Sequence, residues 1–173
     1  MPESRPISKF CQELEQALAD AEAIEGALEP AAGVLSRVFA VQPDEVAFFK
    51  IDQEKGILRF MWPDRLKKIG FLPLSSHDSL AARTAREKKL FVENSFSSKR
   101  HASVFEKVKL TPQQETPQPI QKIMSVPIPK GKEVVGVVQV SRKAPDKASP
   151  GPDFTKDDLR DLLELAKTLG RRF

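Results

Sequence analysis

The stretch QKIMSVPIPKGKEVVGVVQVSRK, residues 121–143, decides the fold of this chain. Two runs rich in β-branched residues, 123–129 and 133–143, flank a short polar break that contains a glycine. This composition and alternation predict two strands joined by a tight hairpin. The second run is apolar on both faces, which predicts a central strand covered on both sides. Gly136 interrupts that run where a bulky side chain would block another group, such as a crossing helix or a ligand.

Length and composition limit the class of protein. The 173 residues suffice for one compact domain with an extra helix or two. No apolar run is long enough to span a bilayer and the chain begins with a polar stretch, so we expect a cytoplasmic protein with no membrane partner. The single cysteine, Cys11, excludes an intrachain disulfide and a multi-cysteine zinc site. With only two histidines besides, no metal site is predicted.

Charge is distributed unevenly along the chain. The formal net charge is +4, yet residues 1–30 contain seven acidic and two basic residues, so the remainder carries +9. A basic body can attract nucleic acid or anionic ligands. Here the basic residues form small scattered groups with few aromatic residues between them. This pattern favours a solvated surface and predicts no nucleic-acid partner.

Periodicity predicts helices at the start of the chain. Apolar residues at three- and four-residue spacing predict one long amphipathic helix over residues 8–28. Pro30 is expected to break it and to begin a second helix over 31–39. The first helix is regular and acidic, which is typical of a packing helix or a dimer seam.

The middle of the chain alternates strand and turn signals. Residues 45–52 and 56–62 predict a β-hairpin whose turn glycine adopts a positive φ. Short elements follow: helix 64–69 and strand 71–74. Ser75 with Asp78 resembles a capping box that opens a helix over 77–88, and another short strand is expected at 91–93.

Residues 94–119 are polar and poor in apolar periodicity, with one brief helix expected at 104–108. An irregular stretch of this length inside a compact domain is typical of a functional lid or a disordered excursion. After the core hairpin, Thr155 and Asp158 predict the cap of a last amphipathic helix that ends near Gly170.

Taken in order, these features resemble those of a GAF domain. The residues that carry the resemblance are SLAARTAREKKLFV at 79–92, IMSVPI at 123–128, VVGVVQV at 134–140 and FTKDDL at 154–159. The resemblance implies an α+β fold with a central, mainly antiparallel sheet of five to six strands. Terminal helices would cover one face, and helices and loops would roof a ligand pocket on the other. It also implies two regions, an N-terminal amphipathic helix at 1–30 and a GAF-like domain at 31–173.

Three departures from subfamilies of this fold bear on function. Bilin-binding members need a pocket cysteine, whereas Cys11 lies in the N-terminal helix. Free methionine sulfoxide reductases need several pocket cysteines, and residues 31–173 contain none. Cyclic-nucleotide-binding members often carry N-K…F-x-x-x-D-E, while this chain has Arg142-Lys143 and Phe154 with Asp158-Leu159. No nucleophile–base spacing, phosphate-binding glycine loop or paired carboxylate motif is present, so the sequence predicts that the protein is not an enzyme.

The resemblance places a candidate ligand pocket beneath the helix at 77–88 and the following loop. Backbone N–H groups, a side-chain amide and apolar walls are what a small-molecule site needs. His101 follows Lys99 and Arg100, a group that suits a phosphate or carboxylate and so allows an anionic ligand. The predicted ligand-binding residues are Phe60, Ser79, Leu80, Thr84, Asn94, Arg100, His101 and Phe105. The sequence identifies no cofactor.

Three functions remain open at this point. The first is a stand-alone regulatory module that binds a small molecule and acts through a homodimer of its terminal helices, with a signalling protein as a further partner. The second is a protein-interaction module whose pocket is filled by its own side chains. The third, which the sequence favours least, is a redox enzyme of the same fold.

Overall fold

The computed structural model describes residues 6–68, 70–96, 118–145 and 150–173. Helices and strands follow one another in an α+β arrangement. The helices are α1 (Ile7–Asp20), α2 (Ile24–Phe39), α3 (Asp64–Lys67), α4 (Leu80–Glu87) and α5 (Lys156–Gly170), with a 3-10 turn at Pro43–Glu45. The strands are β1 (Val46–Asp52), β2 (Ile57–Trp62), β3 (Phe71–Pro73), β4 (Phe91–Glu93), β5 (Ile120–Lys130) and β6 (Glu133–Lys143).

The strands of the described residues form one antiparallel sheet of six strands, in the order β3-β2-β1-β6-β5-β4. The hairpin β5–β6 lies inside it, with β1 along β6 and β4 along β5. Ser125 pairs with Gln139, and Ala47 pairs with Gln139 from the other side. The predicted fold class is therefore confirmed, including the central position of the second run of the opening stretch.

The two sheet faces bury separate apolar clusters, because side chains alternate between faces along each strand. Helices α2 and α5 pack on one face, which we call the terminal-helix face, and α1 packs on these two helices. The apolar cluster on this face includes Phe48, Val126 and Val138. Helix α4 covers the other, the α4 face, and packs on Phe49 and Val137. Both terminal segments lie on the same face, as predicted.

Two glycines allow the C-terminal helix and β1 to approach the hairpin. A Cβ on Gly170 would lie 1.8 Å from the carbonyl oxygen of Pro129, so α5 can end against β5 only without a side chain there. A Cβ on Gly136 would lie 2.3 Å from the Phe49 carbonyl oxygen and 3.1 Å from the ring of Phe173. The group that approaches Gly136 is therefore neither a crossing helix nor a ligand but the backbone of β1, together with the ring of Phe173.

The N-terminal helices differ from the prediction. The single helix expected over 8–28 is wrong, because α1 ends at Asp20 and α2 begins at Ile24. Pro30 lies inside α2 and does not begin a helix. The break lets Leu14 and Leu18 of α1 enter the same apolar cluster as α2 and α5, and tertiary packing of this kind overrides local periodicity. The predicted boundary between residues 30 and 31 falls within α2.

Helix α4 begins later than predicted. Its N-cap is Ser79, whose Oγ accepts a hydrogen bond from the Ala82 N–H at 3.1 Å, so the capping box expected at Ser75 and Asp78 is wrong. The predicted cap of the last helix is confirmed: Thr155 Oγ1 accepts from the Asp158 N–H at 3.1 Å, and the Asp158 carboxylate accepts from the Thr155 N–H at 2.8 Å.

The short central elements follow the prediction closely. The hairpin β1–β2 turns at Gly56 with φ of 64°, and the short helix at 64–67 and the strands at 71–73 and 91–93 are present. The brief helix expected at 104–108 lies outside the described residues. So does most of the stretch expected to form a lid.

Candidate functional site

A row of buried polar side chains crosses the α4 face. Thr84 comes from α4, Ser125 from β5 and Gln139 from β6, and we call these three residues the polar row. Thr84 and Ser125 are fully buried and Gln139 is 6% exposed. The Thr84 and Ser125 hydroxyl oxygens lie 2.7 Å apart, and Gln139 Nε2 donates to Ser125 Oγ at 3.1 Å. The row therefore links the helix to both strands of the core hairpin.

The direction of these hydrogen bonds follows from the number of protons. Thr84 Oγ1 lies 2.8 Å from the Leu80 carbonyl oxygen, which can only accept, so the single Thr84 proton points there. Ser125 must then donate to Thr84, and its own oxygen accepts from Gln139. Among contacts within the described residues, the Gln139 carboxamide has one N–H and its Oε1 left over. The row thus ends in a donor and an acceptor that are fixed in place.

Apolar side chains surround the polar row. The rings of Phe49 and Phe60 lie 5.1 Å apart, centroid to centroid, on neighbouring strands. Phe96, at the end of the described segment after β4, is also buried in this cluster. A buried amide in such surroundings interacts strongly with any polar partner, because little water screens it. The arrangement suits a small molecule with an apolar body and a few polar atoms.

The structure brings four of the predicted site residues together around α4. Thr84 belongs to the polar row, and the Leu80 carbonyl accepts the Thr84 hydroxyl proton. Ser79 caps α4 and is 5% exposed. Phe60 is buried against Phe49 on the sheet beneath. Their role in ligand binding stays a prediction.

Asn94 has a different environment. Its carboxamide donates to the Phe154 carbonyl at 3.1 Å and accepts from the Phe154 N–H at 2.8 Å, so both ends of the amide bind the chain just before α5. Phe154 lies in the terminal-helix cluster, and the Arg142 guanidinium stacks on its ring at 4.5 Å. Arg100, His101 and Phe105 lie outside the described residues.

Sequence reasoning missed Ser125 and Gln139. Each is a polar residue inside a run otherwise apolar, IMSVPI and VVQV. A buried polar side chain needs a hydrogen-bond partner, so a polar residue in a strand predicted to be covered on both faces is itself a signal. Its partner, Thr84, comes from an element 41 residues away, which no local pattern can identify.

The thiol of the chain lies on the opposite side of the sheet. Cys11 is half-buried on α1 near Thr168 and Glu164 of α5, and burial raises the pKa of its thiol, with a smaller opposing contribution from the Thr168 hydrogen bond. Within the described part of the chain, no group of three histidine, cysteine, aspartate or glutamate residues could hold a metal ion.

Comparison with solved structures identifies the fold. A GAF domain from an Acinetobacter phosphoenolpyruvate-protein phosphotransferase matches with a TM-score of 0.71 at 14% identity, over 97% of this chain and 92% of that one. Residues 122 to 287 of a methyl-accepting chemotaxis protein match with a TM-score of 0.68 at 15% identity, over 92% and 93%. The chain thus has the GAF fold, and the resemblance drawn from its motifs is confirmed at that level.

A third match corrects the prediction about catalysis. Free methionine-R-sulfoxide reductase from Neisseria meningitidis, solved in complex with its substrate, matches with a TM-score of 0.66 at 16% identity, over 96% of this chain and 87% of that one. This match overturns the prediction that the protein is not an enzyme in the form in which it was made: absent motifs were taken to exclude catalysis, whereas an enzyme has this fold. At 16% identity the match concerns the fold alone. Comparison of the sequence with family models and with curated proteins finds no match.

Among the described residues, no helix combines the length and the apolar character needed to cross a bilayer.

Proposed function

We propose that this protein is a regulatory sensor module that binds a small molecule on its α4 face. The observation that carries the proposal is the polar row, which ends at a donor and an acceptor of Gln139 on the sheet face that also buries the Phe49 and Phe60 rings. A row of hydrogen-bonded side chains of this kind orients the Gln139 carboxamide for recognition of a ligand. Apolar side chains alone would pack α4 on the sheet equally well. Phe60, Ser79, Leu80 and Thr84 are included in this site, together with Ser125 and Gln139.

The solved structures of the same fold support a regulatory role. One is a domain of a phosphotransferase and another is part of a methyl-accepting chemotaxis protein. At these identities the likeness concerns the fold, so the ligand must be identified from this chain. The proposal includes a cytoplasmic location, which the single cysteine favours because proteins of oxidising compartments often use disulfides.

The proposal also includes a homodimer formed through the terminal helices. Helix α1 packs against α5, and Arg171, the residue that follows α5, forms an ion pair with Glu15 of α1. The two helices carry half-buried apolar residues, which we call the α1/α5 seam: Ile7, Phe10 and Cys11 on α1, and Leu159 and Leu163 on α5. A second copy that covers this seam would remove it from water, and apolar burial of that kind drives association.

A second candidate is a protein-interaction module whose pocket holds no ligand. Phe49, Phe60 and Phe96 are all buried on the α4 face by contacts within the chain. Such side chains can fill a site as well as line it.

Native mass spectrometry of the freshly purified protein, followed by denaturing spectra, tests the ligand. We expect an added mass that leaves on denaturation and that is lost in Ser125→Ala, since that change removes the group that orients Gln139. Ser141→Ala is the matched control, because Ser141 is a buried hydroxyl of the same sheet that bonds the Glu45 carbonyl at 3.2 Å. A ligand-free wild-type protein would favour the interaction module.

Sedimentation equilibrium tests the dimer. We expect Leu163→Glu to convert a dimer to a monomer, because it places a charge in the α1/α5 seam. Gln16→Glu adds the same charge on the exposed face of α1 and should leave the dimer intact. A monomeric wild-type protein at micromolar concentration would overturn this part of the proposal.

A further inference from the structure

A cleft lies at the end of the sheet, away from the polar row. It has a volume of about 630 Å³ and is formed by α2, the 3-10 turn, the end of β2 with the start of α3, and the ends of the core hairpin. We call it the sheet-end cleft. Its volume is in the range of small-molecule sites. Its lining residues are Glu29, Gln42, Pro43, Asp44, Glu45, Trp62, Pro63, Asp64, Arg65, Gln118 and Lys143.

Hydrogen bonds hold the walls of this cleft in place. The Trp62 indole N–H donates to the Pro43 carbonyl at 3.0 Å, which ties the end of β2 to the 3-10 turn. The Glu45 carboxylate accepts from the Gln42 N–H at 2.9 Å and from the Lys143 N–H at 2.7 Å, which ties the same turn to the end of β6. The cleft is therefore formed before any ligand arrives, which lowers the entropic cost of binding.

The charge of the cleft is negative. Four carboxylates line it against two basic side chains. Glu45 is engaged on both oxygens by backbone N–H groups, while Asp64 approaches Lys67 only at 3.8 Å. Glu29 and the half-buried Asp44 make no hydrogen bond or ion pair in the described part of the chain. Two carboxylates that line the cleft together with Trp62 thus have no partner among the described residues.

A second groove shows what distinguishes this cleft. The groove between α1 and α2 has nearly the same volume, about 660 Å³, and also contains carboxylates. There Glu13 is paired with Arg37 at 2.8 Å and Asp20 accepts from Gln16 at 2.7 Å. No aromatic residue is among the residues that line it. Volume and acidity are shared, so among the described residues the free carboxylates and the indole distinguish the sheet-end cleft from this groove.

We propose that the sheet-end cleft binds an organic cation, a guanidinium or ammonium group, against Trp62 with Glu29 and Asp44 as its counter-charges. An indole ring attracts such cations through its quadrupole, and a carboxylate nearby adds a charge-assisted hydrogen bond. The cation is supplied either by a free small molecule or by an arginine or lysine side chain of a partner. The site is separate from the polar row and does not depend on the function proposed above.

The fluorescence of Trp62 tests the proposal directly. Trp62 is the one tryptophan of the chain, which contains no tyrosine, so its emission reports on this cleft. The probes are butylguanidinium and butylurea, which have the same shape and differ in charge, titrated at constant ionic strength. We expect a saturable change in emission with butylguanidinium at millimolar concentration and none with butylurea. Equal or non-saturating responses to the two probes overturn the proposal.

Paired variants localise the binding. Glu29→Gln with Asp44→Asn should weaken butylguanidinium binding about fivefold to tenfold, the effect of removing charges near a solvated cation. Glu13→Gln with Asp20→Asn removes the same number of charges from the α1/α2 groove and should leave the affinity unchanged. If the two double variants lose the same affinity, the cation is attracted by the overall charge of the protein, and the assignment of the site to the sheet-end cleft is wrong.

A peptide distinguishes the two sources of the cation. Acetyl-Gly-Arg-Gly-amide that binds more tightly than butylguanidinium identifies a polypeptide partner, because backbone groups then add contacts. Equal or weaker binding of the peptide identifies a free small molecule. Weaker binding of both butylguanidinium and the peptide by the Glu29→Gln/Asp44→Asn variant supports the site in either case, and an unchanged affinity contradicts the site.

Discussion

The two faces of the sheet satisfy their buried hydroxyl groups in different ways. On the terminal-helix side, Ser36 donates to the Gly33 carbonyl at 2.8 Å and Thr168 to the Glu164 carbonyl at 3.2 Å, each within its own helix. On the α4 face, the hydroxyls of Thr84 and Ser125 bond each other across 2.7 Å between helix and sheet. Bonds within a helix leave its position on the sheet to apolar packing. Bonds between elements specify where α4 lies, at the risk of an unpaired buried group if one partner is lost.

The two faces also differ in the size of their apolar clusters. The terminal-helix face holds the larger apolar cluster, which includes parts of α1, α2, α5 and four strands of the sheet. The α4 face holds a smaller cluster and the polar row. We therefore expect stability to depend mainly on the first face and the proposed recognition mainly on the second.

The largest expected effect comes from a truncation on the terminal-helix face. Leu162→Ala removes a fully buried side chain of α5 and should lower the free energy of unfolding by about 2–5 kcal/mol, measured by urea denaturation. Leu163→Ala, next to it but half-buried, should cost clearly less. Equal losses would show that α5 does not hold its observed orientation.

The next effect concerns the approach of α5 to β5. Gly170→Ala forces a Cβ against the Pro129 carbonyl and should cost about 1–3 kcal/mol or more. Gly33→Ala in α2 is the matched control, since nothing lies within 4 Å of a Cβ there. That change should be neutral or stabilise the helix by up to about 1 kcal/mol. A tolerated Gly170→Ala would contradict the contact.

A third prediction addresses the polar row. Ser125→Ala leaves Thr84 and Gln139 without their shared partner and should cost about 1–3 kcal/mol. Adding Gln139→Leu should cost less than the sum of the two single changes, because the group left unpaired is also removed. Additive losses in this double-mutant cycle would show that the three residues do not act as one network.

The smallest effect concerns Cys11 on the terminal-helix side. Because burial raises its pKa, less thiolate is present at a given pH, and alkylation by iodoacetamide should be slower than for the unfolded chain in urea. The alkylation rate of the folded protein should increase with pH over a higher pH range than that of an unperturbed thiol, because the pKa of the Cys11 thiol is raised. A native rate equal to the unfolded rate would mean that α1 does not stay packed on α5.

Local patterns predict most of the elements because the required signals are short. The strand at 91–93, the turn at Gly56 and the cap formed by Thr155 and Asp158 each depend on residues within a few positions of one another. The break between α1 and α2 is different. It brings Leu14 and Leu18 onto a shared core, and helical periodicity alone cannot place it.

The same distinction holds for the candidate sites. The resemblance implied that Ser79, Leu80, Thr84 and Phe60 lie near one another, and the structure brings them together around α4. Their role in ligand binding stays a prediction. Ser125 and Gln139 could not be paired with Thr84 in advance, since hydrogen bonds between distant elements depend on strand register. The sheet-end cleft joins residues as far apart as Glu29 and Lys143, and Asn94 binds Phe154 across 60 positions.

The sequence by itself determined the order of strands and helices and the central, doubly covered position of the core hairpin. Periodicity, turn glycines and caps act over a few residues and are written in the chain directly. Only the tertiary structure decided which buried polar groups meet, where α1 ends and which carboxylates stay free beside Trp62. Those outcomes depend on register and packing between elements far apart in the sequence, where many partners are chemically equivalent and geometry selects among them.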